Sequence, residues 1–430
     1  MNAFLSTRGA GPAPFRQALF QGLAPDGGLY VPLSIPALGS APPAAEGFAA
    51  TARWVARRWL AGAAAPEVLD GIVEDALDFP VPLVEVEPGV FVLELFHGPS
   101  LAFKDVGARF MAHAMAALGG DGPPRTVLVA TSGDTGGAVA AAFHGLAGCR
   151  VVALFPEGGI SERQRRQMST LGGNVTAAAV GGTFDDCQRL AKEAFADGEL
   201  REAVGLTSAN SINVARLIPQ AFYYVYAAAL LGWEREPATF VVPSGNLGNL
   251  CAGLLARRAG MPAASFVAAT NANRVFPDYL ESGRFAAAPS VPTLSNAMDV
   301  GDPSNIERIR WLYGNDLARL RADVRGTAVT DDETRATLAA VHERTGYVLD
   351  PHGAVGWRAL ERDRGAGAGP WVVLATAHPA KFPEVVAAAT GRDVPVPEAL
   401  AARLRGDEHV IRIPAELAAL RGHLLEREGR

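Results

Sequence analysis

From about residue 90 onward, short apolar runs alternate with segments of helical periodicity, and this alternation restricts the possible folds more than any other feature of the chain. Runs of strand length occupy residues 91–96, 126–130, 151–155, 175–180, 239–242, 266–269 and 371–375, with helical patterns at 135–146, 162–171, 184–195 and 219–231 between them. Unbroken apolar strands joined by helices imply an α/β fold in which a parallel sheet is covered on both faces. Ligands in such folds bind beyond the carboxyl ends of the strands, so the loops leaving those ends are where chemistry is expected.

A length of 430 residues exceeds what one core usually supports, and 49% apolar residues suffice for a large interior, so two or three lobes are expected. The net charge of −6, with Lys and Arg scattered along the chain, offers no footprint for nucleic acid. Cys149, Cys187 and Cys251 lie far apart and match no metal-ligand spacing, which fits a reducing, cytoplasmic compartment and no metal. The longest uncharged apolar run, 221–233, is too short to span a bilayer, and no membrane association is expected. Residues 1–82 combine Pro-rich stretches with an amphipathic segment at 48–60, where Trp54, Val55 and Trp59 fall at helical spacing; they read as a small helical cap.

One lysine stands out. Lys104 follows the Gly98-Pro99 turn and opens a helical pattern, flanked by Leu101, Ala102 and Phe103. Apolar surroundings disfavour the charged form of an amine and lower its pKa toward the range where it attacks a carbonyl, the property of a Schiff-base lysine. Taken alone, a lysine at a helix start more often snorkels to solvent. The strand-end loops tip the balance. Pro243-Ser244-Gly245-Asn246-Leu247-Gly248-Asn249 links a strand to a helix, and its backbone amides with the helix dipole can cradle a phosphate, although a tight turn needs the same glycines. It lacks the Lys-Ser or Lys-Thr pair of a P-loop and the GxGxxG spacing of a nicotinamide site.

Three further loops share this placement. Thr131-Ser132-Gly133-Asp134-Thr135-Gly136-Gly137 makes a cradle suited to a carboxylate; Asp134 suits a protonated or phenolic group better than an anion, and Ser and Asp here can equally cap the helix. Asn210, Ser211 and Arg216 form a set suited to a phosphate monoester, or an Asn-rich cap followed by a surface arginine. Thr376, in Leu374-Ala375-Thr376-Ala377-His378-Pro379-Ala380-Lys381-Phe382, could set a neutral hydroxyl against a ring nitrogen, while His378 and Lys381 are given structural roles and none in proton transfer.

Together these residues resemble the threonine synthase family of pyridoxal phosphate enzymes, of the tryptophan-synthase-β-like fold, fold type II. The resemblance runs from Gln21-Gly22-Leu23-Ala24-Pro25-Asp26-Gly27-Gly28-Leu29-Tyr30-Val31-Pro32, through Leu294-Ser295-Asn296-Ala297-Met298-Asp299-Val300 and Asp350-Pro351-His352-Gly353-Ala354-Val355, to the loop containing Thr376. It implies a two-lobed fold of parallel-rich sheets flanked by helices: the cap over 1–82, a catalytic domain over 83–392 with a mobile small lobe at about 125–205, and a C-terminal packing segment over 393–430 closing in a Leu-rich helix. It implies pyridoxal 5′-phosphate on Lys104, its phosphate on Gly245, Asn246, Leu247, Gly248 and Asn249, its ring nitrogen on Thr376 and its 3′ oxygen by Asp134. Many relatives carry Asn where Asp134 stands, so a hydrogen bond there needs a shared proton. Ser132 and Thr135 are implied for the substrate carboxylate, and Asn210, Ser211 and Arg216 for its phosphate. The implied reaction turns O-phospho-L-homoserine and water into L-threonine and phosphate by γ-elimination and β-hydration. The alternative is another fold-type-II lyase such as threonine dehydratase, which has no use for a phosphate pocket. The short bacterial and fungal class is implied, as a monomer with no S-adenosylmethionine regulation.

Overall fold

The computed structural model describes residues 3–120, 124–366 and 369–426; the outermost ends of the expected cap and of the C-terminal segment lie outside these. Two parallel-rich sheets form the frame. The larger has six strands, in the order Val324–Ala328, Ser265–Thr270, Thr239–Pro243, Trp371–Ala375, Val90–Glu94 and Leu83–Glu87, all parallel except the last, which makes a hairpin with Val90–Glu94. The smaller has five parallel strands, in the order Val410–Pro414, Val175–Gly181, Cys149–Pro156, Arg125–Ala130 and Leu206–Ser208.

Why the strands are apolar throughout follows from what covers them. Side chains alternate between faces along a strand, and in Thr239–Pro243 the side chains of Phe240 and Val242 enter one core while Val241 enters a second on the opposite face. In the small sheet Val127 and Val129 point to the core shared with the large lobe, and Leu128 and Ala130 to another built with Leu190, Leu420 and Leu424. Each sheet is therefore buried on both faces, as the sequence pattern requires.

Four strands have no counterpart in the sequence pattern: Leu83–Glu87, Leu206–Ser208, Val324–Ala328 and Val410–Pro414. They are short, partly polar or at sheet edges, where burial on one side removes the demand for a continuous apolar run. The C-terminal segment does more than pack, because Val410–Pro414 pairs with Val175–Gly181 and the helix Leu417–Leu425 covers the same sheet. The cap holds the helices Phe48–Trp59 and Pro66–Ala76, with Trp59 fully buried, and adds an antiparallel pair, Phe4–Ser6 with Tyr30–Pro32, to the purely helical expectation.

The stretch Val214–Leu231 is long and apolar enough to cross a membrane, and begins earlier than the apolar run read from the sequence, which the polar Gln220 bounds. It is 78% buried inside the protein. Phe222, Tyr223, Tyr224 and Val225 are all enclosed, and Phe222 meets Phe110 edge-on with 5.9 Å between ring centroids. An all-round apolar helix of this kind is a core helix.

Candidate active site

Lys104 is the first residue of the helix Lys104–Gly119, and the segment before it is fastened to the loop after Trp371–Ala375. Phe103 N donates to Thr376 O at 2.9 Å and His378 N to Leu101 O at 3.0 Å, with Ala102 bridged to Ala377. Leu101 takes the left-handed conformation, with φ 57°, to turn the chain here; that costs a non-glycine residue roughly 1 kcal/mol and fixes where the next side chains go. Behind the turn Ser100 N donates to the buried Asp105 carboxylate at 2.9 Å. Lys104 thus faces a cavity of about 100 Å³ at the junction of the lobes, shared with Ser132, Asp134, Thr135, Asn210, Ser211, Arg216, residues 245–249, His352 and Thr376. Every site residue expected from the sequence lines this one cavity, and Asn210 and Asn246 also line a wider cleft of about 2030 Å³.

Burial draws the Lys104 ammonium down to about 8, with Lys381 and Arg216 acting in the same direction and Asp134 against it. Its Nζ forms no hydrogen bond or ion pair with the described residues; the Phe103 ring centroid lies 5.8 Å away. A lysine so placed is an amine ready to act as nucleophile or base.

The loop after Thr239–Pro243 is shaped by close approach. A Cβ on Gly245 would lie 2.8 Å from Met298 Cα, and Leu247, with φ 59°, enters the helix Gly248–Arg258 through the left-handed region. Asn249 Oδ1 accepts hydrogen bonds from both Tyr223 and Tyr224 hydroxyls at 2.7 Å, which fixes the amide orientation and leaves Nδ2 buried without a protein partner. Burial holds both phenols protonated. The Asn246 side chain, by contrast, is occupied: Nδ2 donates to Ser211 Oγ at 2.7 Å and Oδ1 accepts from Ser304 N at 2.5 Å.

Arg216 is 3% exposed and lies against the Lys104 helix at Gly107. Its Nη1 donates to Ala209 O, while Nε has no partner, and burial lowers the guanidinium to about 10. The Asn210 amide is committed to Ala130, donating to its O at 2.8 Å and accepting from its N at 3.3 Å. Asn210 and Ser211 therefore brace neighbouring backbone as well as lining the cavity. Across it, Thr131 Oγ1 accepts from Gly133 N at 2.9 Å and Gly136 N at 2.8 Å, which coils the loop so that Ser132 and Thr135 face inward.

Asp134 is held by a cation and an amide. Lys381 Nζ lies 2.6 Å from its Oδ1, Gln164 Nε2 donates to the same oxygen at 3.1 Å, and Lys381 foremost, then Lys104 and His352, hold the carboxyl well below its usual range despite burial. Gln164 also exchanges hydrogen bonds with Asn296, at 3.0 and 3.3 Å, joining the small lobe to the loop beside Gly245. His352 Nδ1 donates to Asp350 Oδ2 at 2.5 Å and Nε2 accepts from Ala297 N at 3.2 Å, which holds the same loop. Gln164, Tyr223, Tyr224 and Lys381 carry no functional signal in the sequence. Asn296 and His352 lie within the family-like runs 294–300 and 350–355, the only sign there of their importance.

These residues fit pyridoxal phosphate. They offer a hydrogen-bond donor at Asn249 Nδ2 on a glycine-bearing loop at a helix start, a buried amine drawn down to about 8 and a cavity hydroxyl at Thr376, which together meet an anionic tail, an aldehyde and a ring nitrogen. The same conclusion comes from comparison with known proteins. The family of pyridoxal-phosphate-dependent enzymes matches residues 78–377, the threonine synthase N terminus 3–77 and the threonine synthase C-terminal family 353–424. Threonine synthase of Haemophilus influenzae is 46% identical across 90% of both chains. The crystal structure of threonine synthase from Escherichia coli superposes with a TM-score of 0.92 at 41% identity, covering 98% of this chain and 99% of that one. Pyridoxal-phosphate-bound threonine synthase from Brucella melitensis gives 0.91 at 37%, covering 98% of each. With its fold, cavity and whole length in agreement, the chain belongs to the threonine synthase family of pyridoxal-phosphate-dependent enzymes.

Proposed function

We propose that this protein converts O-phospho-L-homoserine and water into L-threonine and phosphate. The observation that carries this reading is a cavity with a buried lysine drawn down to about 8 between two anion-ready ends, the 245–249 loop with Asn249 Nδ2 and the Arg216 guanidinium with its free Nε. One end is needed for a cofactor phosphate; a substrate that carries a second phosphate needs the other. Threonine dehydratase chemistry would leave Arg216 buried with nothing to bind, and burying an uncompensated charge costs several kcal/mol.

In this reading residues 245–249 would hold the cofactor phosphate, Thr376 its ring nitrogen and Lys104 its aldehyde carbon, with Asp134 beside its 3′ oxygen. When bound, pyridoxal phosphate supplies an electron sink that makes the Cα and Cβ protons of an amino acid removable. Ser132 and Thr135 would hold the substrate carboxylate and so set which Cα bond faces Lys104. The Lys104 amine would take the Cα proton and give it up before taking a Cβ proton; as phosphate leaves Cγ, a proton would be delivered to Cγ, water would add its hydroxyl at Cβ with its own proton leaving on the phosphate, and a proton would return to Cα. One group serves as base and acid in turn because its pKa lies near the working pH. Arg216 would grip the substrate phosphate and accompany it as it leaves Cγ, with Asn210 and Ser211 keeping that wall in place. A cytoplasmic setting belongs to the same reading, supported by three free cysteines.

The test is incubation of purified protein with phosphohomoserine while threonine, phosphate and 2-oxobutanoate are followed together. Threonine and phosphate in equal amounts support the proposal; no phosphate release from phosphohomoserine, with 2-oxobutanoate formed when L-threonine is supplied in its place, replaces it with the dehydratase.

A further inference from the structure

The buried pair of Asp134 and Lys381 stands directly behind the cavity, and its two side chains are 3% and 0% exposed. Lys381 Nζ also donates to Ser100 O at 3.0 Å, in the turn that precedes Lys104. Removing two charges from water costs several kcal/mol each before their attraction offsets it, and an apolar pair would close the same space without that cost. The pair sits where a charge matters most, because Asp134 is turned toward the one lysine that must be neutral to act.

The charges acting on Lys104 come from three directions. Asp134 faces it from the head of the helix Asp134–Phe143, Lys381 from the turn Pro379–Lys381, and Arg216 from the short helix Val214–Leu217. Asp105, next along its own helix, is turned to Ser100 N, and His352 faces Asp134 from the start of the helix Pro351–Asp363. Among the cations around Asp134, Lys381 acts most strongly and Lys104 next. Take Lys381 away and Lys104 becomes the leading candidate to satisfy a buried carboxylate.

We propose that Lys381 is a counter-ion that keeps Asp134 from capturing the Lys104 ammonium, so that Lys104 remains a free amine able to attack the cofactor aldehyde. Lys381 is a positioning residue in this scheme and touches neither cofactor nor substrate. The direction in which Lys381 and Asp134 displace the Lys104 titration is consistent with it. The inference rests on the reading of Lys104 as the cofactor lysine.

Its test uses full-length protein freed of cofactor, with pyridoxal phosphate as probe. The neutral amine joins the aldehyde carbon through a C=N bond and one water leaves, so the rate of appearance of the visible chromophore follows the neutral fraction of Lys104. In Lys381→Met that rate profile moves to higher pH by roughly one unit or more, about tenfold slower at pH 7, because a carboxylate now faces the ammonium unopposed. In Asp134→Asn it moves the opposite way, and Lys381→Arg stays near the parent. The double variant Lys381→Met with Asp134→Asn returns toward the parent profile. Coincident profiles for parent, Lys381→Met and Asp134→Asn overturn the proposal. If Lys381→Met does not fold, the sign for Asp134→Asn decides: a downward move supports the counter-ion role, and no move or an upward one overturns it. A chromophore that survives in Lys104→Ala instead overturns the assignment of Lys104 itself, which separates the two failures.

Discussion

Gly107 lies so close beneath Arg216 that a Cβ at position 107 would come within 2.7 Å of Arg216 O and 3.0 Å of Arg216 Nε. The helix that begins with Lys104 therefore presents bare backbone one turn later, and the carbonyl and Nε of Arg216 pack against it. The contact fixes the distance between the amine and the cation by packing alone.

Gly107→Ala tests that contact. In the interior of a helix this exchange ordinarily stabilises by roughly 1 kcal/mol. Here the expected outcome is a lower melting temperature together with about a tenfold higher KM for phosphohomoserine, since a displacement near 1 Å is enough to misplace a phosphate clamp. The pyridoxal phosphate absorbance should persist, and an unchanged KM would show that Arg216 tolerates the shift.

Arg216→Ala removes the cation outright. Hydrogen bonds to charged groups contribute about 1.5–3 kcal/mol each, so inhibition by inorganic phosphate should weaken by roughly 10- to 100-fold with the cofactor still bound. Arg216→Lys should recover little of this, because an ammonium cannot reproduce the planar fork or the bond to Ala209 O. Inhibition constants measured for the three proteins decide the matter, and equal values would remove Arg216 from the phosphate site.

Tyr223 and Tyr224 act together on Asn249. Loss of one hydroxyl leaves the other to orient the amide, so Tyr223→Phe should weaken pyridoxal phosphate affinity only about threefold; a typical hydrogen bond contributes about 1 kcal/mol. With both changed to Phe, Oδ1 loses both tyrosine donors and the amide is free to flip. The loss should then exceed the product of the two single effects. Fluorescence titration of the cofactor-free proteins provides the comparison.

Burial raises the Asp105 carboxyl to about 6, against the donor at Ser100 that lowers it. Between its unfolded value near 4 and 6 the native protein binds more protons at this site than the unfolded chain, so stability falls as pH rises through that window and levels off above it. A rise of that size corresponds to about 3 kcal/mol. Asp105→Asn keeps an acceptor for Ser100 N and has no charge to bury. The difference in melting temperature, variant minus parent, should therefore increase from pH 4 to pH 6 and stay level from pH 7 to pH 8. A flat difference across the whole range would refute the assignment.

How far the sequence reveals this site depends on how local each cause is. Lys104 and the 245–249 loop are legible because turn, glycines and helix start stand side by side in the chain, and the strands of the sheet interiors because burial on two faces leaves a continuous apolar run. Lys381 reads as merely structural in the sequence since its partner Asp134 belongs to a distant segment; only folding shows that an ordinary loop lysine is fully enclosed beside a carboxylate. The amides of Asn210 and Asn246 are opposite cases. Their residue type suggests ligand donors, yet most of their bonds brace Ala130, Ser211 and Ser304, because a buried amide takes whichever backbone or hydroxyl partner the fold brings near. Val410–Pro414 is hidden for a third reason, since an arginine and a closing proline are tolerable on an edge strand and obscure its period of two.

That last strand also bears on how the polypeptide is made. It comes from residues 410–414 and borders Val175–Gly181, so the small sheet acquires its outermost neighbour only long after its partner strand has been made. Until then the backbone groups along one side of Val175–Gly181 stay unpaired, a state in which nascent chains are prone to associate. A transcript cut short before codon 410 would yield a protein that retains Lys104 yet exposes a sticky border.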